Sequence, residues 1–288
     1  MSLSPEQLAM RRTGIGGSES CALFGLHPFN AKPFDIYSAK VDGWVAEETP
    51  DMVRGKFFEE PTAQWYAYDH GVEVINPDKT FRHAKRPLVL ATPDRLINTP
   101  MGETELLSIK NPRNFDPWGE SETQDFPAFA NLQVQQEAAV LASHGYNIAR
   151  AWVCAPVWGE LRRYPVRLDV ELQDRLMLGI ETWWARYVAA GVPPPLDGSE
   201  GAKRWLLAKY PHADGKEKAE ASLAQEALCM ALREAEEARD RAEESYETAK
   251  QRVIESMGAA HGLKGNFGSI TNGDNKWSKR TFRARWKK

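Results

Sequence analysis

The stretch "RPLVLATPDRLINTPMGETELLSIKNP" (86–112) holds residues whose types and spacing suit a hydrolytic metal site. Asp94 follows a proline at the end of strand-like "LVLAT". After a short loop containing Gly102, "TELLSIK" reads as a second strand running to Lys110. Side chains alternate faces along a strand, so Leu106, Ser108 and Lys110 share one face and Glu105, Leu107 and Ile109 the other. Asp94 and the 108/110 face therefore meet across a hairpin. A carboxylate there suits Mg²⁺ or Mn²⁺, which polarises a phosphate ester and acidifies an attacking water, while a lysine steadies the developing charge. Ser108, two before the lysine, has no charge to offer a metal. Glu105 cannot replace it, because it sits on the opposite face and a one-residue slip would displace Lys110 as well. Glu103 lies farther along, in or near the turn.

Three further stretches bear on the same chemistry. "RRTGIGGSES" (11–20) sets Arg12 and the glycines at 14, 16 and 17 ahead of Ser18 and a helix, a way to offer a guanidinium and backbone N–H groups to a phosphate. "RGKFFEEPTAQWYAYDHG" (54–71) places Glu59 four residues after Gly55 at the start of a helix, where a carboxylate also complements the helix dipole. "DFPAFANLQVQQEAAVLASHG" (125–145) is an apolar helix carrying Gln133, Gln135 and Gln136, with Leu132, Ala138, Val140 and Leu141 as its core face.

In this order, R…GIGGS, GxxxE, PD…xK and QVQ resemble the YqaJ viral recombinase family, lambda-exonuclease-like members of the PD-(D/E)xK nuclease superfamily. The resemblance covers about residues 9–195. It implies an α/β, restriction-endonuclease-like mixed sheet flanked by helices. It also implies a metal-dependent 5′→3′ exonuclease on double-stranded DNA ends, serving phage recombination in the host bacterial cytoplasm beside a single-strand annealing protein. Because lambda exonuclease is a ring-shaped trimer, a homo-oligomer is expected.

Carried over residue by residue, Asp94 is the central ligand of Mg²⁺ (or Mn²⁺), Glu59 an additional acid near it, and the Ile109 carbonyl a further ligand. Lys110 is the catalytic lysine and Gln133 helps to place the attacking water. Arg12 and Ser18, with Gln135, lie near the DNA. The family expects an acid at position 108, so the chemistry of this chain is expected to be impaired. Either the metal chemistry was lost or rerouted, or Ser108 is an active-site substitution in an active nuclease; the second better explains why Asp94, Lys110, Glu59 and the glutamines stay together. The alternative function is a nuclease-like protein that grips DNA ends, or scaffolds recombination, without cutting.

The elements that must position these residues divide the chain. Residues 1–195 read as the core, closing with the amphipathic "DRLMLGIETWWARYVAAG" (174–191) and its terminal glycine. Prolines and glycines in "GVPPPLDGSEG" (191–201) open a linker at 196–215. Residues 216–260, rich in Ala, Glu, Arg and Leu, predict one long helical arm with a thin alanine stripe. Residues 261–288 predict a small basic hairpin turning at Asn272-Gly273. Its last thirteen residues carry seven Lys or Arg and no acid, and Lys276, Lys279, Arg280, Arg283 and Arg285 are its candidate DNA contacts.

The whole chain of 288 residues, 42% hydrophobic with ten tryptophans, has enough apolar content for a sizeable core. Three dispersed cysteines without CxxC spacing argue against zinc and suit a reducing compartment. The six histidines show no HxH or HExxH spacing, Ser18 lies in GGSES rather than a GxSxG elbow, and no run has the length of a membrane span.

Overall fold

The structure, a computed structural model, describes residues 5–44, 47–99, 103–212, 218–274 and 280–286. It divides into two compact units, Met1–His212 and Ala213–Lys288.

The first unit is built on a five-stranded mixed sheet. In chain order its described helices and strands begin with α1 (Pro5–Arg12), α2 (Gly17–Leu23), α3 (Pro33–Val41), α4 (Pro50–His70), β1 (Val74–Ile75), β2 (Phe81–Arg82), β3 (Leu90–Ala91), β4 (Arg95–Asn98) and β5 (Thr104–Ile109). They continue with α5 (Ala128–Ser143), β6 (Ile148–Val157), β7 (Glu160–Val166), α6 (Val170–Trp183) with a π-helical extension Trp184–Ala189, and α7 (Glu200–Lys209). Strand order is β1-β4-β5-β6-β7, with β5 and β6 parallel and the other neighbours antiparallel; β2 and β3 form a separate ribbon. A parallel neighbour needs a crossover, and α5 occupies it.

The alternation along β5 sorts two cores. Leu106 packs with α2, α5 and α6 residues such as Cys21, Val134, Ala138 and Ile180, whereas Leu107 and Ile109 pack with Ala63 and Tyr66 of α4 and with Trp152 and Cys154 of β6. Helices thus cover both faces of the sheet, as the resemblance implied. Helix ends obey local chemistry. Thr49 caps α4 by accepting from the Met52 N–H (3.2 Å), Pro50 opens it, and Gly71 closes it at φ 61°. Asp169 caps α6 through the Leu172 N–H at 3.0 Å.

Two boundaries read from sequence are corrected. Residues 196–215 are not simply a linker: α7 sits within the segment and belongs to the first unit, with Ala202 and Trp205 against Phe34 and Tyr37 of α3. The Asp197 carboxylate accepts from the Phe34 N–H at 3.0 Å and the Gly201 N–H donates to Asp35 at 2.7 Å. The prolines at 193–195 lie in a connection within the unit, because buried aromatic surface and these bonds fasten α7 to α3.

In the second unit, α8 (Leu223–Met257) is a 35-residue helix of about 50 Å, capped by Ser222 rather than starting at residue 216. After it come β8 (Gly262–Gly265), β9 (Gly268–Asp274) and β10 (Arg280–Trp286), a three-stranded sheet in the order β10-β9-β8. Asn272 and Gly273 are not the turn. They lie inside β9 opposite Phe282 and Thr281, so the β9–β10 connection falls at 275–279, outside the described residues. The tight turn is Asn266-Phe267, between the paired Gly265 and Gly268.

Candidate functional site

Asp94 enters the sheet immediately before β4, whose pairing with β5 sets Arg95 opposite Leu107. Its Oδ2 atom gathers three groups: the Ile109 N–H at 2.8 Å, the Ser108 hydroxyl at 3.2 Å and the Lys110 ammonium at 3.6 Å. Lys110 Nζ also donates to Ser108 Oγ at 2.8 Å. The face-sharing of 108 and 110 and their meeting with Asp94 are as the alternation predicts. Ser108 is fully buried, while the Asp94 and Lys110 side chains keep 20% and 15% of their surface. Glu105 points to the opposite face, accepting from Trp152 Nε1 at 2.7 Å, so it is no substitute for an acid at 108.

Glu59 arrives from α4 and pairs with the arginine that follows Asp94. Residues directly opposite in an antiparallel pair share a face, so Arg95 lies with Leu107 on the α4 side. The Arg95 guanidinium, buried to 2% exposure, donates to Glu59 at 2.6 Å, to Glu60 at 2.7 Å and to the Asp94 carbonyl at 2.5 Å. Glu59 is thereby coupled to the main chain of Asp94 through an arginine. Sequence reasoning missed Arg95, although its place immediately after Asp94 in "PDRL" was a signal.

Helix α5 brings the glutamines. Gln133 Nε2 donates to Glu137 Oε1 at 2.8 Å, one helical turn on. Glu137 is 1% exposed and its carboxyl is pushed up to about 8, first by burial and then by the charge of Asp94, against the lowering effects of Lys110 and Gln133. Glu137 was missed because its letter sits in the helix's apolar run.

Gln135, expected at the DNA, is corrected: it is fully buried and its amide bonds Asn131, the Arg167 carbonyl, the Asp169 N–H and Gln173. Gln136 is buried too, donating to the carbonyls of Ile15 and Leu90. Cys21 lies near Lys110 and Glu137, but its thiol is engaged by the Gly17 and Phe129 carbonyls and burial raises its pKa to about 11.

The glycine turn owes two of its glycines to packing. A Cβ on Gly14 would stand 2.8 Å from the Leu88 carbonyl, and one on Gly17 would stand 2.8 Å from Gln133 Cγ. Only glycine lets this turn lie against β3 and α5 at once. The arginine over it is Arg11, whose guanidinium donates to Ser18 Oγ at 3.3 Å, whereas Arg12 is exposed and its guanidinium lies near Gly43. Arg12 is the cation the sequence places at this turn, and the helical rotation between neighbours in α1 brings Arg11 to Ser18 instead. In the tail, Arg283 and Trp286 are exposed on β10, and Arg280 and Arg285 lie on the same strand. Lys276 and Lys279 fall outside the described residues.

Among the described residues no group of three or more His, Cys, Asp or Glu side chains is gathered to hold a metal. Beside Lys110 the Asp94 carboxylate offers a hard oxygen, and Glu137, which feels the charges of Asp94 and Lys110, has its Oε2 buried without a hydrogen-bond partner among the described residues. Such a set fits a cation that keeps waters and borrows phosphate oxygens, as Mg²⁺ does, better than a fully caged one.

Residues 6–146 match the family described as YqaJ-like viral recombinase domain. The chain is 26% identical over 273 residues to the uncharacterized protein YqaJ of Bacillus subtilis (strain 168), covering 91% of this chain and 81% of that protein. Its structure is similar to that of an alkaline exonuclease, LHK-Exo, from Laribacter hongkongensis, with a TM-score of 0.51 at 16% identity over 65% of this chain and 94% of that one. The complex of LHK-Exo with dAMP gives 0.52 at 15% identity over 72% and 97%. At these identities the likeness to the solved structures is one of fold.

Proposed function

We propose that this chain, whose residues 6–146 match the YqaJ-like viral recombinase domain, is a metal-dependent exonuclease that shortens double-stranded DNA ends 5′→3′ for phage recombination. The observation that carries the reading is the convergence of Asp94, Ile109 and Lys110 within 3.6 Å at the end of the β4–β5 hairpin. Asp94 and the Ile109 carbonyl would hold Mg²⁺ or Mn²⁺. When bound, the cation supplies an acidified water and a polarised scissile phosphate. Lys110, steered by Ser108, stabilises charge on the phosphate. Gln133 orients groups around the attacking water, and Arg95 ties Glu59 to the Asp94 backbone. Arg11, Arg12 and Ser18 accompany the DNA phosphates near the glycine turn, and the cations of β10 add sequence-independent affinity. Assembly as a ring around DNA and work beside an annealing protein in the bacterial cytoplasm belong to the same reading.

The alternative, a protein that grips DNA ends without cutting, is favoured by one observation, the serine at 108. End-labelled linear duplex incubated with Mg²⁺, with Mn²⁺ or with chelator separates the two. Cation-dependent release of nucleotides from 5′ ends, lost in Asp94→Asn, is expected. Binding without cutting by this chain and by Ser108→Glu alike establishes the alternative.

A further inference from the structure

We propose that Glu137 supplies the second carboxylate of the metal centre, from helix α5 rather than from position 108 of the strand. The inference rests on the nuclease reading above and names a residue that reading lacked. Glu137 is 1% exposed, yet its Oε2 is buried with no hydrogen-bond partner among the described residues. A carboxylate buried in that state is costly, and proteins keep one where a cation or a reaction uses it. Gln133 holds the other oxygen at 2.8 Å, which sets the orientation of the carboxyl group.

The charged groups bearing on Glu137 are Asp94 and Lys110, the same two that meet at Ser108. Helix α5 packs on β5 and β6, so its side chains approach the 106/108/110 face. Serine at 108 is shorter than glutamate and fills its place with a hydroxyl that bridges Asp94 and Lys110. Exchanging a long acid on the strand for a long acid on the facing helix keeps a carboxylate beside Lys110.

The competing donors are committed. Glu105 bonds Trp152 on the opposite face, Glu59 is paired with Arg95, and the Cys21 thiol bonds two carbonyls. On this account the absence of an acid at 108 reroutes the metal site without disabling it.

The test uses the full chain and four variants: Asp94→Asn, Glu137→Gln, Ser108→Glu and the double variant Glu137→Gln/Ser108→Glu. Mn²⁺ binding is read by calorimetry and by the shift it causes in Tm, and digestion of linear duplex is read beside them. Mn²⁺ is expected to bind the parent chain and raise its Tm. Glu137→Gln is expected to keep or raise the metal-free Tm, because it replaces a buried carboxyl group by an amide of nearly the same volume. It should weaken Mn²⁺ binding by at least about tenfold and erase the Tm shift. The double variant should recover binding, its acid now on the strand.

Unchanged Mn²⁺ affinity in a folded Glu137→Gln overturns the assignment. So does cutting by Ser108→Glu when the parent chain neither binds Mn²⁺ nor cuts, an outcome that leaves the nuclease reading standing. If binding keeps to the expected pattern but no variant digests DNA, Glu137 is a ligand and the nuclease reading is the one that fails.

Discussion

At the scale of single residues, the site is a set of short contacts around Asp94 Oδ2, and each predicts a separate loss. Lys110→Met removes an ammonium that bonds Ser108 at 2.8 Å, and is expected to lower kcat by about a hundredfold or more with little change in KM. Single-turnover digestion checks it, and an unchanged rate would remove Lys110 from the chemistry. Two histidines away from the site set a pH limit. The Nδ1 atom of His27 accepts the Phe29 and Ala31 N–H groups, and that of His83 accepts those of Lys85 and Arg86. Burial holds both pKa values below the ordinary 6.5, so the unfolded chain binds protons that the folded one refuses. The stability these two histidines contribute is therefore full at pH 7.5 and falls as pH drops below about 6.5, while Glu137, whose carboxyl is pushed up to about 8, contributes with the opposite sign. Between pH 7.5 and 5 the urea midpoint of the double variant His27→Asn/His83→Asn should gain on that of the parent chain, and an unchanged difference between the two would remove these histidines from the pH dependence.

At the scale of elements, α5 does two jobs at adjacent positions. Gln133 bonds Glu137, which feels the charges of Asp94 and Lys110, while Gln135 and Gln136 pin the helix to the loop before α6 and to β3. Gln135→Ala strips several buried partners at once and is expected to cost about 2–3 kcal/mol. Duplex affinity should hardly change, since the side chain is fully buried. Chemical denaturation beside a DNA-binding titration checks both halves; a large loss of affinity in a stable variant would restore Gln135 to the interface. The glycine turn works at the same scale. Gly17 brings α2 against Gln133, so the packing of α2 and the placement of Gln133 depend on one missing side chain.

At the scale of the molecule, the first unit ends near His212. A chain cut after residue 212 is expected to fold cooperatively. A chain cut after residue 195 loses Trp205 and Ala202 from Phe34 and Tyr37, together with the bonds of Asp197 and Gly201. Its Tm should be lower by several degrees, on the order of 1–3 kcal/mol. Equal melting of the two truncations would show that α7 contributes nothing to the first unit. In the second unit the side chains of α8 are exposed except for a few, with Met257 buried at its end. That helix draws its order from alanine-rich propensity and ion pairs such as Arg233–Glu237.

The mixed α/β class, the alternation that joins Ser108 to Lys110, the approach of Asp94 and the long C-terminal helix were all legible in the amino-acid order. Those come from periodicity and from motif order, which are local properties of the chain. Tertiary structure decided which charges meet. Glu59 turns to Arg95 because β4 pairs with β5 in a register that sends Arg95 to the α4 face, and no local pattern records that register. Arg11 replaces Arg12 over Ser18 through the rotation of α1. Asn272 and Gly273 extend a strand because β9 pairs with β10 on one side and β8 on the other, and that ladder outweighs a local turn. Glu137 was invisible in a helix read for its glutamines. Its meaning comes from packing that buries a carboxyl beside Asp94 and Lys110, where a serine stands in the strand.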